Sequence, residues 1–124
     1  GIYGKQPLIP LLKKLSEIGP QVVGIKLGSN GSIIYHKSEE YAYHVPIYPV
    51  KMVDPTGAGD AFCGGVMVGY FETNSVLEAA IRGTVSASLA IEDFGAIHLL
   101  KARKSEVVKR VDYLRKNVEL IKVV

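Results

Sequence analysis

Leu8, Leu11, Leu12 and Leu15 recur at helical spacing through PLIPLLKKLSEIG, residues 7–19, and Gly19-Pro20 ends the run. The period then changes. QVVGIKL (21–27) is short, apolar and rich in β-branched residues, as a buried strand is. GSNG (28–31) reads as a turn and SIIYHK (32–37) as a second strand, so the pair predicts a hairpin. EYAYHVPIYPV (40–50) is aromatic and extended, and Pro46 and Pro49 mark it as an edge strand or a loop. From about Ala58 to Phe71, small and apolar residues predict a helix that packs closely. NSVLEAAIRGTVSASLAIEDFG (74–95) predicts another, capped by Asn74 or Ser75 and stopped at Gly95. In KSEVVKRVDYLRKN (104–117), Val107, Val108, Val111 and Leu114 lie on one stripe of an amphipathic helix. No repeat, low-complexity tract or linker interrupts the series. The order helix, strands, helix, helix, helix predicts an α/β layer whose sheet continues into chain beyond this segment.

Composition narrows the function classes. At 124 residues the chain is long enough for one domain with a core of its own. A net charge of +3, spread along the chain, is too mild to point to nucleic acid. No apolar run approaches the ~20 residues that span a bilayer. Pro7 and Pro10 interrupt what a signal peptide would keep apolar. A single cysteine, Cys63, fits a reducing compartment, and a cytoplasmic location is expected. The chain starts at Gly1, not Met, as a processed product or a piece of a longer protein would.

The chemistry concentrates in DPTGAGDAFCGG, residues 54–65. A helix N-terminus exposes about four unpaired N–H groups and roughly half a positive charge. Gly57 and Gly59, without Cβ atoms, let the backbone turn sharply and let a ligand approach those amides. Together they make a cradle for a phosphate or a phosphorane-like transition state. Asp60 follows in or beside the first turn, where the positive helix end favours a carboxylate that can take a proton from a hydroxyl. Amides that hold transferring charge beside a base are what phosphoryl transfer requires. A bare G-x-G-D is also ordinary capping, and neither G-x-x-x-x-G-K-[ST] nor G-x-G-x-x-G occurs here.

The longer stretch is more specific. DPTGAGDAFCGGVM (54–67) resembles the C-terminal signature of the ribokinase-like (PfkB) carbohydrate kinases almost position for position. Upstream, KLGSNGS (26–32) resembles that family's nucleotide loop. Downstream, AAIRGTVSASLAIEDFGA (79–96) resembles its long helix ending in Gly-Ala. The resemblance implies that residues 1–124 are the C-terminal, nucleotide-binding part of a ribokinase-like three-layer α/β/α fold. The implied activity is ATP-dependent phosphoryl transfer to a sugar or nucleoside hydroxyl, with Mg2+ accompanying ATP.

The resemblance also distributes roles. Asp60 would be the base, and Gly57, Ala58 and Gly59 the anion hole through their amides. Lys26, Gly28, Ser29, Gly31 and Gly59 would border ATP, and Thr84 would lie near the adenosine. Asp54, Thr56, Ala90, Asp93 and Gly95 would ligate a monovalent cation such as K+. Lys26 departs from the family pattern, where Thr is common. The family's Gly-Gly motif, sugar contacts, lid and N-x-x-E segment have no counterpart in this sequence, so the isolated chain is expected to be inactive. The expected partners are ATP and a small sugar or nucleoside, without nucleic acid or membrane, and the full-length protein could be a homodimer. The competing reading is a non-catalytic nucleotide-binding or structural module. Cys63 reads as a small core residue. His36, His44 and His98 read as structural or surface residues, and Tyr41, Tyr43 and Tyr48 as strand packing more than a binding wall.

Overall fold

A computed structural model describes residues 8–19, 21–50, 57–92 and 104–123. Helix α1 (Leu8–Ile18) leads into β1 (Val22–Lys26), a single 3-10 turn (Gly28–Asn30), β2 (Ser32–His36) and β3 (Tyr41–Val45). Three helices follow, α2 (Ala58–Thr73), α3 (Val76–Glu92) and α4 (Lys104–Lys116), and then β4 (Glu119–Lys122). All four strands join one antiparallel sheet in the order β1-β2-β3-β4.

The hairpin expected across 28–31 is present, with Val22 opposite His36 and Lys26 opposite Ser32. Two expectations about the sheet need correction. β3 is no edge strand, because β4 pairs along it, Tyr41 opposite Lys122 through His44 opposite Glu119. β4 itself left no mark in the sequence pattern: it is four residues long, and only one of them is even half-buried.

Strand alternation sends side chains into two cores. Val22, Ile34, Tyr43 and Val45 meet Val76, Ala80, Ile81, Val85 and Leu114 of α3 and α4. Val23, Ile33, Tyr35 and Ala42 meet Leu12, with Leu8 and Leu15, of α1 on the other face. The sheet therefore has helices on both faces, the three-layer α/β/α arrangement. In α1, Leu12 is fully buried and Leu11 is 44% exposed, so the stripe is narrower than the leucine spacing predicts.

α2 and α3 pack on glycines. A Cβ at Gly65 would stand 2.8 Å from the Arg82 carbonyl oxygen, and one at Gly83 would stand 2.8 Å from the Phe62 carbonyl oxygen. The connection is tight because Asn74, with φ +55°, closes α2 by donating its N–H to the Tyr70 carbonyl. Ser75 is then the residue that caps α3, its Oγ accepting the Glu78 N–H at 3.2 Å. The stop expected at Gly95 lies outside the described residues. Cys63 is exposed, not a core residue: the face of α2 that carries it, with Met67 and Phe71, is turned away from α3.

Candidate active site

Helix α2 starts abruptly. Gly57, its N-cap residue, has φ +83°, a left-handed conformation that glycine adopts without strain, and no side chain caps the helix. The first helical bond runs from the Ala61 N–H to the Gly57 carbonyl, at 2.9 Å. The N–H groups of Ala58, Gly59 and Asp60 precede it and, as in any first helical turn, have no intrahelical acceptor, the arrangement an anion cradle needs. Asp60 stands in this first turn and is exposed.

The loop after β1 is shaped by its glycines. Gly28 and Gly31 have φ of +60° and +87°. Leu27 N–H donates to the Gly31 carbonyl at 2.8 Å, and Gly31 N–H donates to the Gly28 carbonyl at 3.2 Å. A Cβ at Gly31 would lie 2.1 Å from the Val45 carbonyl oxygen, so the loop presses directly on β3.

Between this loop and the helices lies a cavity of about 380 Å³. Lys26, Gly28, Ser29 and Gly31 line it from the hairpin, Ala58 and Phe62 from α2, and Thr84, Ala87, Ser88 and Ile91 from α3; Ile47 and Tyr48 close the remaining side. A larger groove of about 720 Å³ runs between α2, α3 and α4, but it contains none of the residues expected to bind nucleotide or to carry catalysis. We assign the site to the smaller cavity because its wall carries the chemistry.

The wall is mostly apolar, as a slot for an aromatic base is, with polar groups at fixed points. Thr84 Oγ1 donates to the Ala80 carbonyl at 2.8 Å and keeps its lone pairs. Ser88 Oγ donates to the Val85 carbonyl at 2.7 Å and accepts from Arg110 Nη1 at 2.8 Å. The Arg110 guanidinium also lies 4.8 Å from the Tyr48 ring centre and bonds Glu106 at 2.9 Å, bracing the wall from behind. That bond holds the Glu106 carboxyl below its usual range. Ser32 Oγ is buried without a hydrogen-bond partner, in the same wall. Lys26, opposite Ser32 in the ladder, has its Nζ 5.4 Å from the Phe62 ring centre and 3.3 Å from where a Cβ on Gly59 would be. An ammonium beside the positive end of a helix, with an orphaned hydroxyl nearby, fits a polyphosphate, so these residues suit ATP.

Residues 5–103 match the pfkB family of carbohydrate kinases. The chain belongs to that family. Over 87 residues it is 41% identical to inositol 3-kinase of Arabidopsis thaliana, covering 67% of this chain and 24% of that protein. The crystal structure of ribokinase from Thermotoga maritima superposes with a TM-score of 0.67 at 32% identity, covering 89% of this chain and 36% of that one. Arabidopsis thaliana ribokinase complexed with ribose and ATP superposes with a TM-score of 0.64 at 31% identity, over 79% of this chain and 31% of that one. The chain thus spans between about a quarter and just over a third of the length of these kinases.

The expected nucleotide residues Lys26, Gly28, Ser29, Gly31 and Thr84 are brought to one cavity, and Gly59 lies against Lys26. Of the expected catalytic set, Ala58 is in the wall, whereas Gly57, Gly59 and Asp60 are outside it. Of the expected cation ligands, Asp54, Thr56, Asp93 and Gly95 lie outside the described residues, and Ala90 is half-buried near the end of α3. No cluster of three metal-ligating side chains occurs among the described residues. No described helix is long and apolar enough to cross a membrane. The sequence did not single out Ser32, Phe62, Ser88 or Arg110. Tyr48 does line the cavity, although it also packs edge-on against Tyr113 at 5.2 Å.

Proposed function

We propose that the full-length protein transfers the γ-phosphoryl group of ATP to a hydroxyl of a sugar or nucleoside, and that this segment supplies the nucleotide side of the site. The observation that carries the reading is the convergence of Lys26, Gly28, Ser29, Gly31 and Thr84, from separate stretches of the chain, around one cavity beside the first turn of α2. The apolar slot walled by Ile47, Tyr48, Ala87 and Ile91 would suit the adenine, with Lys26 and Ala58 on the side left to the phosphates. The amides of Gly57 to Asp60 hold the equatorial oxygens of the transferring group, where charge builds up in the transition state. Asp60, exposed in the first turn of α2, takes the proton of the acceptor hydroxyl while that oxygen bonds to the γ-phosphorus. The bond to the β-phosphate oxygen breaks, and ADP leaves with the electron pair. ATP would bring the phosphoryl group with Mg2+ to offset its charge, and a monovalent cation beside the anion hole would be held partly by the Ala90 carbonyl.

Asp60→Asn in the full-length kinase tests the base. The amide keeps the size and gives up only the carboxylate's attraction to the positive helix end, about 0.3–1 kcal/mol at an exposed position, so stability is expected nearly to hold. kcat is expected to fall by about 10²–10⁴-fold, with little change in the affinity for ATP. A near-normal kcat would mean that this acid only starts the helix.

A further inference from the structure

The glycine loop is gripped from the side of the sheet turned away from the cavity. His44 is on β3, opposite Ile33, whose side chain is in the core beneath α1. It is 7% exposed, and its Nε2 lies 2.6 Å from the carbonyl oxygen of Asn30, inside the 3-10 turn. A carbonyl oxygen only accepts, so Nε2 carries the hydrogen. The next residue, Val45, meets the same loop through its carbonyl, against which Gly31 packs without room for a Cβ. Two consecutive residues of β3 therefore hold two consecutive residues of the loop. On the far side of the ring, Nδ1 is buried without a hydrogen bond and lies 3.8 Å from Oε1 of Glu119, the residue opposite His44 on β4.

We propose that His44 is a positioning residue for the nucleotide loop. Its Nε2–H fixes the Asn30 carbonyl, and this sets the peptide groups of Gly28, Ser29 and Gly31 that line the cavity. The His44 ring does not line the cavity itself, so it acts only through the loop. The inference rests on the nucleotide reading above for its functional consequence, but not for its structural content. A buried ring nitrogen reaches the loop where water cannot easily replace it, and strand β3 is anchored on both sides by β2 and β4.

The test compares His44→Leu, which removes the donor, with His44→Gln, whose amide nitrogen can occupy the Nε2 position. Amide hydrogen exchange is read at Leu27, Asn30 and Gly31, and MgATP affinity by calorimetry, on the same chain. His44→Leu is expected to speed exchange at those three amides and to weaken MgATP binding, each by roughly 2- to 12-fold, the Boltzmann factor of one lost hydrogen bond. His44→Gln is expected to stay near wild type in both. Unchanged exchange in His44→Leu overturns the proposal, as does equal acceleration along the whole β1–β2 ladder, or a His44→Gln variant that behaves like His44→Leu. Faster loop exchange with unchanged MgATP affinity overturns the link to the nucleotide. If wild type binds no MgATP, the nucleotide reading falls, and exchange at the loop alone decides the role of His44. Should His44→Leu fail to fold, His44→Asn, whose amide stops short of Nε2, gives the same contrast.

Discussion

Gly28 and Gly31 belong to the same short motif, yet they are glycine for different reasons. Both have positive φ. At Gly28 a Cβ would meet nothing within 4 Å, so an alanine there is strained only through its backbone, at about 1–2 kcal/mol. At Gly31 the same Cβ would stand 2.1 Å from a carbonyl oxygen, and the strand or the loop must move. Gly31→Ala is therefore expected to cost about 2–4 kcal/mol in urea unfolding, and Gly28→Ala clearly less. Equal losses would show that β3 does not confine the loop. The motif made both glycines visible in the sequence, along with Lys26 and Ser29, and the likeness of the long helix did the same for Thr84. Ser32, Phe62, Ser88 and Arg110 stayed invisible as site residues because a cavity wall and a core use the same side chains. Only the folding of α3 against the hairpin separates the two. Cys63 failed in the opposite sense: a small apolar residue inside a helix reads as buried, and the exposed face of α2 is as apolar as the packed one.

Among the elements, α4 is tied to the site most indirectly. Its Arg110, 3% exposed, reaches Ser88 on α3 and the Tyr48 ring, and Glu106 one turn earlier holds the guanidinium. The hydrogen bond from Arg110 is the first cause that depresses the Glu106 carboxyl. A carboxyl with a lowered value in the folded state adds stability above the value it has in the unfolded chain, and that stability disappears as pH falls through the folded value. Wild type should therefore lose its advantage over Glu106→Gln on the acid side of the usual carboxylate range, while the two keep a constant difference from neutral pH upward. Urea midpoints of both proteins from neutral to acid pH check this, and parallel curves throughout would mean that the pair is not formed in solution. Helix α4 was legible as an element, 104–117 expected and Lys104–Lys116 observed. Its expected stripe was not wholly buried, since Val108 is 50% exposed. Local periodicity finds a helix, but which side of it is covered depends on partners far away in sequence.

For the molecule as a whole, the hairpin and the helices were readable because they rest on local signals, whereas the sheet order was not. Strand β4 is separated from β3 by all three of α2, α3 and α4, and nothing in Glu119–Lys122 announces the pairing. The family's signatures conveyed the three-layer architecture where periodicity alone stopped at helices and a hairpin. One consequence of that architecture concerns the balance between holding together and doing work. Packing the end of β1 against the start of α2 puts the Lys26 ammonium beside the positive pole of a helix, a frustrated contact that a negative guest relieves. Lys26→Met removes the repulsion and keeps an apolar side chain near Phe62. In dilute chloride buffer its Tm is expected to be no lower than that of wild type, whereas added phosphate or MgATP should raise the wild-type Tm more. A variant that melts lower in chloride and responds fully to phosphate would refute this. The lysine then marks a place where the fold gives up some cohesion so that the cavity can attract charge.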